Sequence, residues 1–233
     1  MLGTEMVDIY VGKAKEKKHA HVHKALLTGK IPYFDKMFSG GFKEATDSFA
    51  EFPDEDVKAF ENLIQWVYSG SLPRFQWIQD AEGEEGEFES SWCIAQTYLL
   101  FDKLCLFSLA DQALTDFLAE TAKLKIVMDF GLIQTIYKLA PERSPLRKLA
   151  LQSFHFAMNG QTPDEVAVSN WDMEEVKKGL IGNGDFLLDY LTLMHKHNNL
   201  EIVQDPAEMP VCFFHHHGEG EPCFVKVAES NYD

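Results

Sequence analysis

Basic side chains are scarce: 21 Lys and Arg stand against 37 Asp and Glu, a formal charge of −16 over 233 residues. Nucleic-acid affinity comes largely from Lys and Arg releasing counterions from phosphates, so this acidic balance argues against a nucleic-acid partner. A basic ligand or a protein surface suits it better. Long apolar runs are missing as well. The stretch from Tyr98 to Ala119 is broken by Asp102, Lys103, Asp111 and Asp116, short of the roughly 18 apolar residues a spanning helix needs, and the expectation is a chain without a membrane partner. The first residues, MLGTEMVDIYVGKAKEKK, have neither the apolar core nor the small-residue cleavage site of a secretory signal, which predicts an intracellular protein, cytoplasmic or nuclear. Cysteines number four, Cys93, Cys105, Cys212 and Cys223. In a reducing compartment they read as thiols or metal ligands rather than as a disulfide framework.

Catalytic signatures are absent too: there is no phosphate-cradling glycine loop, no nucleophile elbow and no HExxH. Cys105 and His155 could be drawn as a thiol catalyst, but nothing orients a base towards Cys105, and no enzyme is expected. Cys93 and Cys105 fall in apolar helical stretches and read as packing residues. What the chain does have is a core. Its composition is 45% hydrophobic and 12% aromatic, and a length of this order buries roughly 70% of the surface of the unfolded chain.

Val7, Ile9 and Val11 alternate with Asp8 and Tyr10 before Gly12, the period-two pattern of a strand with one buried face. KAKEKK makes a polar hairpin loop, and a second strand follows near Ala20 to Val22. Two short helices, split by Gly29 and Pro32, carry Leu26, Leu27, Phe34 and Phe38. After Gly40 and Gly41, Ser48 to Phe52 forms a third strand. Pro53, Asp54, Glu55 and Asp56 then predict carboxylates in the first turn of a helix, where the macrodipole favours them. That helix presents Val57, Phe60, Leu63, Ile64 and Val67 on one face and ends at Gly70.

Asp80, Glu82, Glu84, Glu85, Glu87 and Glu89 crowd the next stretch, which reads as an acidic loop inserted before a helical connection. From Trp92 onward the pattern is helical. Leu106, Ala110, Ala113, Leu114, Phe117 and Leu118 make a stripe at spacings of three and four, and further helices are predicted over Asp129 to Leu139, Ser144 to Met158 and Asp185 to about His195.

VDIYVG, HVHKALL, PYFDKMFSGGFKEA, FPDEDVKAFENLIQWVYSGSL and YLLFDKLCLFSLADQAL occur in that order. Together they resemble the BTB/POZ domain over about residues 6 to 120. IYKLAPERSPLRKLA is similar to the helical extension that follows this domain in many fungal members. The resemblance implies an α+β fold, a small three-stranded sheet against a helical cluster, followed by an all-α C-terminal region. The expected boundaries are 6–120 for the interaction domain, with an acidic loop at 78–90, 121–200 for the helical region and 201–233 for an irregular tail. Two positions depart from the family pattern: Ala20 stands where a buried aromatic is usual, and Ile31 where Ser is usual. Only six residues precede Val7, so the N-terminal exchange by which the long form of the domain dimerises does not carry over, and homodimerisation is not implied.

The same resemblance implies two sets of residues. Asp8 and Lys24 match a conserved acidic and basic pair, expected to be structural. Phe42, Lys43 and Glu44 fit the hydrophobic-x-Glu pattern through which BTB adaptors contact a cullin scaffold. An exposed aromatic would fill an apolar pocket while the carboxylate takes charged donors; the alternative is that Phe42 packs onto the following strand. The family's role is protein binding, here as a substrate adaptor of a cullin-based ubiquitin ligase, or as a self- or hetero-assembling scaffold that engages no cullin.

Independently of the resemblance, Cys212, His215, His217 and Cys223 give C-x2-H-x-H-x5-C, four donors of the kind zinc takes tetrahedrally. Such a tail could make the chain a zinc-dependent regulatory protein. The alternative is an unstructured tail with incidental histidines, since the spacing matches no standard finger. His19, His21 and His23 alternate on the second strand; His23 belongs to the family's His-Lys motif and the other two read as exposed surface groups.

Overall fold

The computed structural model describes residues 3–79, 88–160, 171–196, 202–218 and 220–223. The chain divides into two compact units, Met1–Ala113 and Leu114–Asp233.

In the first unit, β1 (Met6–Val11) buries Val7, Ile9 and Val11 and leaves the alternate positions half-exposed. Burial on one face only is what the pleat makes of a period-two sequence. Gly12, at φ +82°, and a short 3-10 turn over Ala14–Glu16 reverse the chain into β2 (Lys18–His23), antiparallel to β1. The helices α1 (Lys24–Lys30) and α2 (Pro32–Ser39) follow, with Pro32 in the first turn of α2, where its missing N–H is not needed. Ile31 between them is fully buried. The short α3 (Lys43–Asp47) was not expected from sequence; Ser48, in the left-handed region at φ +53°, turns its end into β3 (Phe49–Phe52). β3 runs parallel to β1, so the sheet order is β2-β1-β3 and β1 is paired on both edges.

The helix α4 (Val57–Ser69) begins later than the run of carboxylates predicts. No acidic residue lies in its first turn. Asp56 instead caps it, accepting a hydrogen bond from Ala59 N at 2.8 Å, because a short side-chain acceptor satisfies amides the helix leaves open. Asp54 pairs with Lys13, and Glu55 with Lys103. Phe34 sits among Phe38, Phe52 and Phe60 with ring centroids 5.7–6.3 Å away. An antiparallel pair, β4 (Trp77–Gln79) and β5 (Phe88–Ser90), flanks the acidic stretch, whose residues 80–87 lie outside the described residues. The unit continues through α5 (Ile94–Lys103), and α6 (Phe107–Leu124) carries the chain into the second unit.

In the second unit, Asp129 caps α7 (Phe130–Leu139) through Leu132 N at 2.8 Å, and Ser144 caps α8 (Pro145–Asn159). Then come α9 (Met173–Gly182) and α10 (Gly184–Lys196). Phe154 on α8 is fully buried, with Phe186 and Tyr190 at 4.8 Å, Trp171 at 5.8 Å and Phe130 at 6.0 Å. Arg147 ties three elements at one point: it donates to Tyr137 O at 3.1 Å and reaches the Asp185 carboxylate at 3.3 Å. Gly179 on α9 is required by close approach, since a Cβ there would stand 2.6 Å from the Phe130 ring and 2.4 Å from the Gln134 side chain. The fold is α+β, a three-stranded sheet with helices followed by a helix-rich remainder. Among the described residues no helix is long and apolar enough to cross a membrane.

Each unit has an aromatic on which its packing converges. Phe34→Ala and Phe154→Ala are each expected to cost about 3–5 kcal/mol, as large-to-small changes in closed cores do. Chemical denaturation of each variant measures this, and a loss under about 1 kcal/mol, the range of surface changes, would show that the ring is not a packing centre.

Candidate functional site

The turn after α2 is fixed by Gly40. Its N–H donates to Lys36 O at 3.1 Å, and a Cβ would come within 2.6 Å of that carbonyl and 2.9 Å of the Phe42 ring. The chain then reaches Phe42 in extended conformation (φ −83°, ψ 161°) as the residue that caps α3. Phe42 is 61% exposed, so it does not pack away onto the following strand. Lys43 is also exposed and lies 4.0 Å from Asp47, while Glu44 is half-buried. An apolar ring and a carboxylate two residues on are thus presented by one short, glycine-fixed turn.

Asp8 and Lys24 are not brought together. The β1–β2 register sets Asp8 opposite His21, and His19, two residues away, shares that face. Asp8 Oδ1 lies 2.6 Å from His19 Nε2 and 2.8 Å from His21 Nδ1. Lys24 lies one residue beyond the end of β2, where its ammonium meets Glu5 at 2.8 Å and its backbone N–H donates to Glu5 O at 3.0 Å. The expected Asp8–Lys24 pair is therefore replaced by two others, and the register is the reason. Hydrogen bonds from His19, then His21, hold the Asp8 carboxyl below the usual carboxylate range. Both rings are exposed, with Tyr10 stacked on His19 at 4.7 Å.

The described part of the tail is not shapeless. Two 3-10 turns, Pro206–Glu208 and Val211–Phe214, pack against α8. Phe214 is fully buried, and Lys148 on α8 donates to Phe213 O at 2.8 Å with its ammonium over the Phe213 ring. Partial burial lowers the Lys148 ammonium's pKa. Within and just after the second turn, a donor atom from each of Cys212, His215, His217 and Cys223 falls within 4.8 Å of the others. Cys223 and His215 are buried, and Cys212 and His217 half-buried. Cys223 Sγ is 3.4 Å from His215 Nδ1, and His215 Nε2 is 3.1 Å from Thr115 Oγ1 on α6.

One reading of the other cysteines needs correction. Cys105 is not in a helix and not packed: it is exposed in the turn between α5 and α6, at φ +57°. Cys93 is half-buried at the start of α5. His155, the imagined base, is buried on α8, 3.2 Å from the Asn159 side-chain amide.

The BTB/POZ domain family model matches residues 2–81. Residues 2–81 form a BTB/POZ domain. Kelch-like protein 28 of Homo sapiens and that of Mus musculus are each 34% identical to this chain over 68 residues. The match covers 29% of this chain and 12% of either relative.

The central sheet, α1 to α4, the Phe42 turn and the Asp8 cluster all lie in this BTB/POZ domain. Ala20, where the family pattern has a buried aromatic, is half-buried beside an open groove of about 490 Å³ lined by Val11, Val57, Phe60 and Ile64. Sequence reasoning missed this groove, although the departure at Ala20 was its signal.

The Asp8 cluster predicts a pH dependence. A carboxyl held below its ordinary value stabilises the fold above its unfolded value, about 3.9, and that contribution is lost as pH falls through the depressed folded value. Thermal unfolding followed from pH 6 downwards is expected to show a shallower acid loss for Asp8→Asn than for wild type, with the difference reduced by salt because the groups are half-exposed. Superimposable curves would mean that the two histidine contacts do not survive in solution.

Proposed function

We propose that this chain is a non-enzymatic protein-interaction module whose BTB/POZ domain docks a cullin scaffold through Phe42 and Glu44. In this reading the helical second unit or the tail holds a substrate for ubiquitination, and the protein works inside the cell, in cytoplasm or nucleus. The observation that carries it is the 61% exposure of Phe42 on a turn that Gly40 fixes. A ring left in water where the chain could have buried it is suited to fill a partner's pocket, and large aromatics in desolvated pockets dominate binding energy. The BTB/POZ match and the likeness to Kelch-like proteins support the same direction, and the acidic charge disfavours nucleic acid instead.

The test is binding of purified cullin N-terminal regions to wild type and to a Phe42→Ala, Glu44→Ala double variant. Loss of a central aromatic anchor costs about 2 kcal/mol or more, so affinity is expected to fall at least about 30-fold. Thermal stability should stay close to wild type, because Phe42 is exposed. Equal capture of both proteins would sink the Phe42–Glu44 contact. Absence of cullin binding by wild type, with other proteins retained, would replace the adaptor with an assembly scaffold.

A further inference from the structure

We propose that Cys212, His215, His217 and Cys223 bind one zinc ion in a tetrahedral, structural site that fastens the end of the chain to α8. Structural zinc takes four sulfur and nitrogen ligands, with Zn–S near 2.3 Å and Zn–N near 2.0–2.1 Å, which sets sulfur–nitrogen edges of about 3.6 Å. The Cys223–His215 edge is already 3.4 Å, and all four donors lie within 4.8 Å of one another, so only a small contraction closes the tetrahedron. The spacing C-x2-H-x-H-x5-C, read from sequence, and the convergence of the same four side chains in space are separate observations that agree.

The surroundings select the donor atoms. His215 Nε2 faces Thr115 Oγ1 at 3.1 Å, so an Nε2–H donating to that hydroxyl leaves the Nδ1 lone pair towards Cys223. His217 Nδ1 lies 3.2 Å from Gly218 O, and since a carbonyl only accepts, Nδ1 carries the proton and Nε2 is left to ligate. Such outer hydrogen bonds fix ring tautomer and orientation at metal sites. The return of the chain is built in as well. Gly218 N–H donates to the Glu221 carboxylate at 2.9 Å, Glu221 N–H donates to Gly218 O at 3.2 Å, and Gly220 adopts φ +84°. This tight turn brings Cys223 back to the cluster, where it is 1% exposed.

Charge and ligand type favour zinc. On binding, each thiol gives its proton to solvent, and two thiolates with two neutral imidazoles around a divalent ion sum to zero, which a buried site tolerates. Mixed sulfur and nitrogen donors in tetrahedral array suit zinc. A two-iron centre with two Cys and two His puts the two ligand types on different irons, which the 3.4 Å Cys223–His215 contact does not allow. The metal would add to the burial of Phe214 and the Lys148–Phe213 O hydrogen bond in holding this turn on α8.

The experiment uses the full chain without a histidine tag. Metal analysis after gel filtration is expected to give stoichiometric zinc. Replacement by cobalt(II) should give the visible ligand-field bands of a tetrahedral ion and a thiolate charge-transfer band. Cys223→Ser removes a buried ligand and could unfold the region, so half-buried His217→Ala and Cys212→Ser serve beside it. Both are expected to lose the metal on dialysis against a chelator that wild type withstands, while His216→Ala, next to the set but outside it, retains it. Sub-stoichiometric zinc in wild type, full retention by His217→Ala and Cys212→Ser, or an intact mass lower by two hydrogens from a Cys212–Cys223 disulfide would each overturn the proposal.

Discussion

The BTB/POZ domain depends on β1 being central. Its backbone is paired with β2 on one edge and β3 on the other, while Val7, Ile9 and Val11 fill the core on one face. A strand paired on both edges has no freedom to slide: a shift of one residue would turn those three side chains to the opposite face and break two ladders at once. That register has chemical consequences elsewhere. It sets Asp8 opposite His21, puts Lys24 beside Glu5, and fixes where β3 must end the crossing that carries α1, α2, α3 and the Phe42 turn.

How much was legible in the sequence depended on how strongly burial was written into local pattern. The alternation in β1, the stripe of α4 and the Ser144-Pro145 start of α8 each announce themselves, and the structure has all three, with α4 starting after the run of carboxylates rather than within it. α9 gave a weak signal because only Val176 among its residues is buried and its glycines lower helix propensity. Gly179 reads as a breaker in sequence and is a contact surface in space, where α9 presses against Phe130 on α7. α3 has no buried residue at all, so there was no periodicity to read. Cys105 misled for the opposite reason: its neighbours are apolar enough to suggest one continuous helix, but the chain breaks there with a left-handed residue.

The site residues divide in the same way. For Phe42 the local pattern left burial and exposure both open, and only the turn geometry at Gly40 separates them. The Cys and His tail could be read as a spacing, but spacing alone could not show that Gly220 and Glu221 fold Cys223 back, or that Thr115, on a helix far upstream in sequence, approaches His215. The Asp8–Lys24 pair, implied by the family resemblance, is not formed because the register sets Asp8 opposite His21 and leaves Lys24 beside Glu5. Which side chains share a face is decided by the ladder, which a family pattern of residue types does not carry.

The parallel pairing of β1 with β3 also bears on how the sheet comes together. The antiparallel contact of Asp8 with His21 closes a short hairpin, whereas the contact of Asp8 with Phe49 closes a segment about three times as long, holding three helices. Treated as a flexible chain, the longer closure costs about 1 kcal/mol more in configurational entropy. The β1–β2 ladder is thus the cheaper of the two to close, and the second edge of β1 is covered only by the longer, costlier closure.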